Sequence, residues 1–472
     1  MLIDREKEQK ILTDAYEAEE SRFIAVYGRR RVGKTYLVRE TLDSKFTFQH
    51  TGYYGGKMSD ELFEFTASLR EYGLKDCSRP GNWLEAFELI KELIRGSPEK
   101  KKVIFLDELS WMDTQGSDFM MALEGFWNGW ASARKDIFLI VCSSVTSWML
   151  SRIIHNKGGL YNRLSCRIHL QPFTLRECEA FIQSRNIIMN RRQILECYMI
   201  MGGVPYYWGF LEKGLSLPQN IDRLFFVKGA PLAHEFDDLY ASLFRKPGPY
   251  IKIVTALGKK KVGMTREELL NATHLSDSGN FSVRLEELEN CGFLRKYRRY
   301  GMKERNAIYQ LVDNFTLFYF RFLEDRPTDE HFWSHQINTP LVNAWCGLAF
   351  ERVCLAHFSQ MKQALGISGI LSEAYSWACR EDSTKGIYGS QIDLMIVRKD
   401  QVIDLCEMKF SGEEYLVTKA DDEAIRRKTS DLLSVTGARY AIHAVLVTPY
   451  GMRDGSYTGY IQNVIKAEDL FL

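Results

Sequence analysis

The sequence predicts an α/β protein built from more than one domain. Three stretches predict it. "RFIAVYGRRRVGKTYLVRETL" (22–42) reads as a strand, a glycine loop and a helix. "KKVIFLDELSW" (101–111) reads as a fully buried strand that ends in two acids. "SQIDLMIVRKDQVIDLCEMKF" (390–410) reads as two strands carrying acids and a lysine where apolar residues are expected.

Length and composition set the frame. With 472 residues, and one domain per ~150 residues, about three domains are expected. A hydrophobic content of 45% and a charged content of 26% are those of a globular protein. The net charge of +1 gives no overall pull toward nucleic acid or an anionic membrane, so any such binding must come from a local patch. The opening MLIDREKEQK lacks the apolar stretch of a signal peptide. The longest apolar run, IFLIVC (137–142), is far short of a membrane span. Ten scattered cysteines with no metal-binding spacing read as small buried residues of a reduced, cytoplasmic protein.

In the first stretch, a strand (22–27) runs into a loop and then a helix (34–42). The loop has the pattern G-x-x-x-x-G-K-T, with Gly28, Gly33, Lys34 and Thr35 at its fixed positions. Glycines let backbone N–H groups turn toward phosphate oxygens, and the helix N-terminus adds a favourable field. The expected ligand is ATP with Mg²⁺. Lys34 would reach the β- and γ-phosphates, and Thr35 would bind Mg²⁺ through its hydroxyl. Arg29, Arg30, Arg31 and Val32 complete the nucleotide-binding loop, with no separate role for the guanidinium groups.

The second stretch supplies the rest of such a site. Asp107, at the end of its strand, would hold the Mg²⁺ shell, and Glu108 would polarise the attacking water. A third strand, "DIFLIVCSSV" (136–145), ends in Ser143 and Ser144. A serine there would sense the γ-phosphate or orient water; the alternative is an ordinary polar strand end. Further on, Arg163 in "GGLYNRLSCRIHLQPF" is a candidate to stabilise transition-state charge, within one chain or across a subunit interface. The alternative is a surface arginine. Action across subunits would require a homo-oligomer.

These residues, taken in order, resemble the archaeal-type ATPase family within the AAA+ and signal-transduction ATPase clade. The resemblance covers residues 1–245. "FIAVYGRRRVGKT" matches the phosphate loop, "VIFLDELSW" the Mg²⁺ strand, and "LYNRL" the family's Leu-Tyr-Gly-Arg stretch. "MGGVPYY" (201–207) matches the Gly-Gly-x-Pro stretch of a helical lid. The resemblance implies that Arg163 is the finger, that Gly203 and Pro205 approach the nucleotide, and that Arg5 and Glu8 form the box before the first strand. Asn162 stands where the family has glycine, and Cys142 where glycine usually precedes the serine pair.

After "PGPY" (247–250) the composition changes. Three helices are expected, in "YIKIVTALGKKK", "MTREELLNATHL" and "GNFSVRLEELENCGFL", followed by the hairpin "RKYRRYGMKERNAIYQL". Thr265 and Glu268 form a capping box for the second helix. Val283, Leu285, Leu288, Phe293 and Leu294 are expected to supply the core face of the third. Three helices and a hairpin make a winged helix. Arg295, Lys296, Arg298, Arg299, Lys303 and Arg305, with Tyr297 and Tyr300 among them, suit a wing that touches DNA phosphates. The alternative is a module that docks one domain on another.

In the third stretch, residues two apart share a face. Ile403, Leu405, Glu407 and Lys409 fall together, and Asp404 falls opposite. An antiparallel hairpin would bring Asp393 and Glu407 to the same end of the sheet. Carboxylates placed so would bind Mg²⁺ or Mn²⁺, and Lys409 would orient or deprotonate a water or steady developing charge. Asp393 followed by Glu407-x-Lys409 resembles the PD-(D/E)XK nuclease fold, which implies a further metal-site acid, Glu351, on the helix in "NAWCGLAFERVCLAHF". Gln391 takes a place often held by glutamate there. Arg426, Arg427 and Lys428 would meet a phosphate backbone or form a solvated helix face.

The expected organisation is an ATPase core (1–171), a helical lid (172–245), a winged helix (246–310), a connector (311–329) and a restriction-endonuclease-like domain (330–472). The expected function is ATP hydrolysis coupled to a DNA-directed, metal-dependent nuclease domain. The alternative is a nucleotide-dependent switch or scaffold with a nuclease-like domain that binds without cutting.

Overall fold

The computed structural model describes residues 2–472 apart from 245, 303–305, 326, 380–387 and 437–438, so Lys303 and Arg305 lie outside the described residues. The chain divides into two compact units. The first comprises Met1–Pro172, Leu239–Pro247 and Glu286–Cys291; the second comprises Phe173–Asp238, Gly248–Leu285 and Gly292–Leu472.

The first unit is built on five strands: β1 (Arg22–Tyr27), β2 (Phe48–Thr51), β3 (Lys102–Asp107), β4 (Ile137–Ser143) and β5 (Cys166–His169). Their order is β2-β3-β4-β1-β5, and every neighbouring pair is parallel. Parallel strands need cover on both faces, which is why β3 and β4 are buried throughout rather than alternately. Successive side chains go to opposite faces. Ile137, Leu139 and Val141 join the core with the helices Met58–Glu71, Trp83–Gly96 and Phe119–Phe126. Phe138, Ile140 and Cys142 join the core with Glu6–Glu17 and Lys34–Thr41. Because the strands are parallel, the carboxyl ends of β1, β3 and β4 lie at one edge of the sheet. Ligands of such sheets bind at that edge.

The second unit begins with two capped helices, Leu175–Ser184 and Arg191–Met201. Thr174 pairs with Glu177, and Asn190 with Gln193, in reciprocal capping boxes. Next come the helices Gly248–Gly258 and Arg266–Thr273 and the start of Gly279–Asn290. With them is a three-stranded antiparallel sheet of β6 (Met264–Thr265), β7 (Leu294–Tyr297) and β8 (Ile308–Leu311), in the order β6-β8-β7. The Thr265–Glu268 capping box forms. The core face of the third helix differs from expectation. Val283 is 50% exposed, whereas Phe281, Leu285 and Leu288 are buried. A spacing of four and then three is the true helical stripe, and Val283 lies off it.

The carboxyl-terminal sheet contains β9 (Ser372–Cys379), β10 (Ser390–Arg398), β11 (Val402–Met408), β13 (Ala441–Val447) and β15 (Ile461–Ile465), ordered β15-β13-β11-β10-β9. A separate pair joins β12 (Tyr415–Leu416) to β14 (Met452–Arg453). Strands β9, β10 and β11 are antiparallel neighbours, whereas β11, β13 and β15 run parallel. One core cluster joins Met395, Ile403 and Leu405 to Leu432 of the helix Lys419–Thr436. Asp404, of opposite parity, is buried beside Arg398. No helix among the described residues is long and apolar enough to cross a membrane. Of the ten cysteines, Cys166 is exposed, Cys379 is half-buried and the others are buried; all are free thiols.

Candidate functional site

Strand β1 is followed by Gly28, whose φ of 145° places it where a side chain is strained. A Cβ there would also overlap the Leu170 carbonyl, so the loop begins where only glycine fits. Gly33, at φ 92°, caps the helix Lys34–Thr41. The loop's other residues are Arg29, Arg30, Arg31 and Val32, and both Arg29 and Val32 are buried.

Lys34 is 5% exposed, and its ammonium lies inside the loop. It donates to the carbonyls of Gly28 (3.1 Å) and Arg29 (2.9 Å) and to Ser144 Oγ (3.0 Å). Thr35 Oγ1 donates to Asp107 Oδ2 at 2.6 Å. A hydroxyl and a carboxylate brought together this way are the oxygen donors that a hard cation such as Mg²⁺ accepts, so the residues fit that ion. Glu108 is held in the left-handed region, with φ 49° and ψ 48°. Its carboxylate accepts the Ser144 hydroxyl (2.5 Å) and the Ser144 N–H (3.0 Å). Ser144 therefore joins Lys34 to Glu108. Ser143 turns away and bonds to Ser110 (3.0 Å).

Other expected nucleotide residues are placed as follows. Arg5 is buried; it donates to the Gln171 carbonyl (2.9 Å) and lies 3.9 Å from Glu8. Arg163 is exposed, next to Asn162 at φ 53°. Asparagine tolerates that left-handed backbone better than most residues. Gly203 and Pro205 belong to the second unit. The Gly203 carbonyl accepts the Phe173 N–H (2.6 Å), and a Cβ at Gly203 would overlap the Phe173 carbonyl. Pro205 opens the helix Pro205–Trp208.

The carboxyl-terminal acids fall into two groups. Lys261 Nζ lies 2.8 Å from Glu351 Oε1 and 3.7 Å from Asp393 Oδ2. Glu407 instead meets Lys428 (2.7 Å) and Lys409 (3.2 Å), and Lys409 also lies 3.7 Å from Asp421. Burial opposes the charge on Lys409, but Glu407 outweighs it and its pKa is raised. A raised lysine keeps its proton at neutral pH, so in this arrangement it is placed to steady charge rather than to accept a proton. The register of β10 on β9 slips by one between Ile392 and Met395, so Asp393 and Leu394 together oppose Ser376. Such a bulge re-aims side chains. Among the described residues no group of three or more His, Cys, Asp or Glu is arranged to hold a metal.

The basic hairpin also meets this sheet. Arg299 bridges Ser376, Tyr300 N–H donates to the Ser376 carbonyl (2.9 Å), and Tyr300 packs on the cluster of Trp377 and Leu432. Of the helix cations, Arg426 pairs with Asp422 (2.8 Å), Lys428 with Glu407, and Arg427 is exposed. The role of Lys261 had no signal in the sequence, where it is one of three consecutive lysines. The bulge at Asp393 had none either.

A parallel sheet with a glycine phosphate loop after β1 and paired acids after β3 defines a P-loop ATPase fold. Residues 2–209 match the family described as an ATPase domain predominantly from Archaea. A curated relative, an uncharacterized protein of Methanocaldococcus jannaschii, is 24% identical over 373 residues, covering 75% of this chain and 76% of its own. Among solved structures, the Walker-type ATPase of Pyrococcus abyssi superposes with a TM-score of 0.50 at 16% identity, covering 68% of this chain and 96% of its own. The Aeropyrum pernix ORC2 protein gives a TM-score of 0.44 at 14% identity, covering 72% and 96%.

Proposed function

We propose that this protein binds and hydrolyses Mg·ATP and uses its nucleotide state to govern a DNA-directed, nuclease-like carboxyl-terminal domain. The observation that carries the reading is the set Lys34, Thr35, Asp107, Glu108 and Ser144, joined by hydrogen bonds at the carboxyl edge of a parallel sheet. The backbone from Gly28 to Gly33 would cradle the phosphates and Lys34 would neutralise them. Thr35 and Asp107 would hold Mg²⁺, which supplies charge neutralisation at the phosphates when bound. Glu108 would orient the attacking water. Arg163, exposed on its loop, would stabilise transition-state charge within one chain or across a homo-oligomer. Arg5 belongs to the proposed nucleotide surroundings.

Three helices with the β6-β8-β7 sheet support the winged-helix reading. The antiparallel β9-β10-β11 unit and the helix bearing Glu351 support a PD-(D/E)XK-like reading of the last domain. A second reading, a switch or scaffold that binds without cutting, is favoured by a specific observation: Glu351 and Asp393 share a lysine while Glu407 is held by two others. Supercoiled plasmid incubated with the full chain and Mn²⁺, with and without ATP, separates the readings. Cutting that disappears in Lys409→Ala supports the nuclease. Absence of cutting in every condition supports the switch.

A further inference from the structure

Glu351 is 8% exposed, and its Oε2 has no hydrogen-bond partner among the described residues. Burial, then the charge of Asp393, raises its pKa; Lys261 opposes both. Two carboxylates so placed call for a cation, and hard divalent ions are the usual answer to oxygen donors. Here the cation is the protein's own. Lys261 bridges the pair at 2.8 Å and 3.7 Å.

The lysine is held there by its backbone. Its carbonyl accepts from Arg352 Nη2 (2.7 Å) and from Gln310 Nε2 (2.7 Å). The next carbonyl, of Val262, accepts the Tyr297 hydroxyl (2.6 Å). Arg295 lies over the Tyr297 ring at 4.5 Å and donates to Gln310 (2.6 Å). Four cations, Lys261, Arg295, Arg299 and Arg352, line the same pocket as two carboxylates, Glu351 and Asp393, and the Lys261 ammonium lies within ion-pair distance of both. That balance does not fit a further divalent charge.

We infer that Lys261 is a built-in counter-ion that keeps the Glu351–Asp393 pair from loading a divalent cation. The carboxyl-terminal cation site is latent, and withdrawing the Lys261 ammonium creates it. The inference rests on reading Glu351 and Asp393 as the acids of that site. Without the lysine, Arg295, Arg299 and Arg352 still line the pocket, but an incoming Mn²⁺ no longer meets the ammonium that bridges the two carboxylates.

The test is Mn²⁺ binding to the full chain without nucleotide, followed by the paramagnetic resonance signal of free Mn²⁺. Lys261→Ala and Lys261→Met are compared with wild type, the methionine retaining most of the stem's packing. The expected result is that either variant binds one additional Mn²⁺ per chain at least about tenfold tighter than wild type. Adding Asp393→Asn should remove the gain. Folded Lys261 variants that bind no better than wild type overturn the inference, as does a gain that survives Asp393→Asn. Plasmid cutting by Lys261→Met is scored separately. Mn²⁺ bound without cutting leaves the counter-ion in place and removes the nuclease reading.

Discussion

The Ser144 hydroxyl and N–H both donate to the Glu108 carboxylate, at 2.5 Å and 3.0 Å, and the same hydroxyl accepts from Lys34. The residue proposed to position water and the residue proposed to bind phosphate are therefore connected through one serine side chain. Ser144→Ala should remove both hydroxyl bonds while leaving the backbone N–H bond to Glu108 and the strand end intact. The expected outcome is a loss of hydrolysis of about 10-fold to 100-fold with a smaller change in ATP affinity, since a hydrogen bond to a charged group contributes ~1.5–3 kcal/mol. Steady-state kinetics that separate kcat from KM check this.

Lys34→Ala should weaken Mg·ATP binding by about 10-fold to 100-fold, because the phosphate charge loses its partner. Its ammonium also holds the Gly28 and Arg29 carbonyls. The loop itself should therefore loosen, which amide exchange across residues 28–35 would register. Normal affinity in a titration with a fluorescent ATP analogue would exclude the phosphate-loop role.

His357 gives a pH-dependent stability. Its Nδ1 donates to the Val353 carbonyl (2.8 Å) and its Nε2 accepts the Leu175 N–H (3.0 Å), a geometry that requires the neutral ring. Burial lowers its pKa from 6.5 to about 4. Between these values the unfolded chain binds the proton and the folded chain does not, so stability falls as pH drops from about 6.5 toward 4. The full effect is on the order of 3 kcal/mol. Chemical denaturation of wild type and His357→Gln across this range should show the loss in wild type and a flatter profile in the variant.

Gly203→Ala should destabilise the second unit. The added Cβ would overlap the Phe173 carbonyl, which lies beside the hydrogen bond from Phe173 N–H to Gly203. Overpacking against backbone costs about 1–3 kcal/mol. Denaturant midpoints check the size, and a variant as stable as wild type would show that the backbone yields.

The first unit was legible in the sequence because its signals are local. A glycine loop between a strand and a helix, and acids at the end of a buried strand, place Lys34, Thr35, Asp107 and Glu108 without knowledge of distant contacts. Parallel pairing then brings β1, β3 and β4 to one edge. The carboxyl-terminal site was legible only as strands and parity. Ile403, Leu405 and Asp404 lie on the faces that period two assigns them. The bulge at Asp393 breaks that period, and no residue type announces it. Lys261 reaches Glu351 across 90 residues, a pairing that belongs to tertiary structure alone. Val283 was misplaced because a valine near a helical stripe looks apolar enough to be core, and only the spacing of Phe281, Leu285 and Leu288 excludes it.

The central claim is hydrolysis of ATP at the edge of the parallel sheet, and Glu108→Gln tests it most directly. Single-turnover hydrolysis and ATP affinity would be measured for the variant beside wild type. The account predicts near-normal binding with hydrolysis slowed by about 100-fold or more, the range for loss of a positioned general base. Glu108→Gln turning over at the wild-type rate, or a wild type that binds ATP without hydrolysing it, would contradict it.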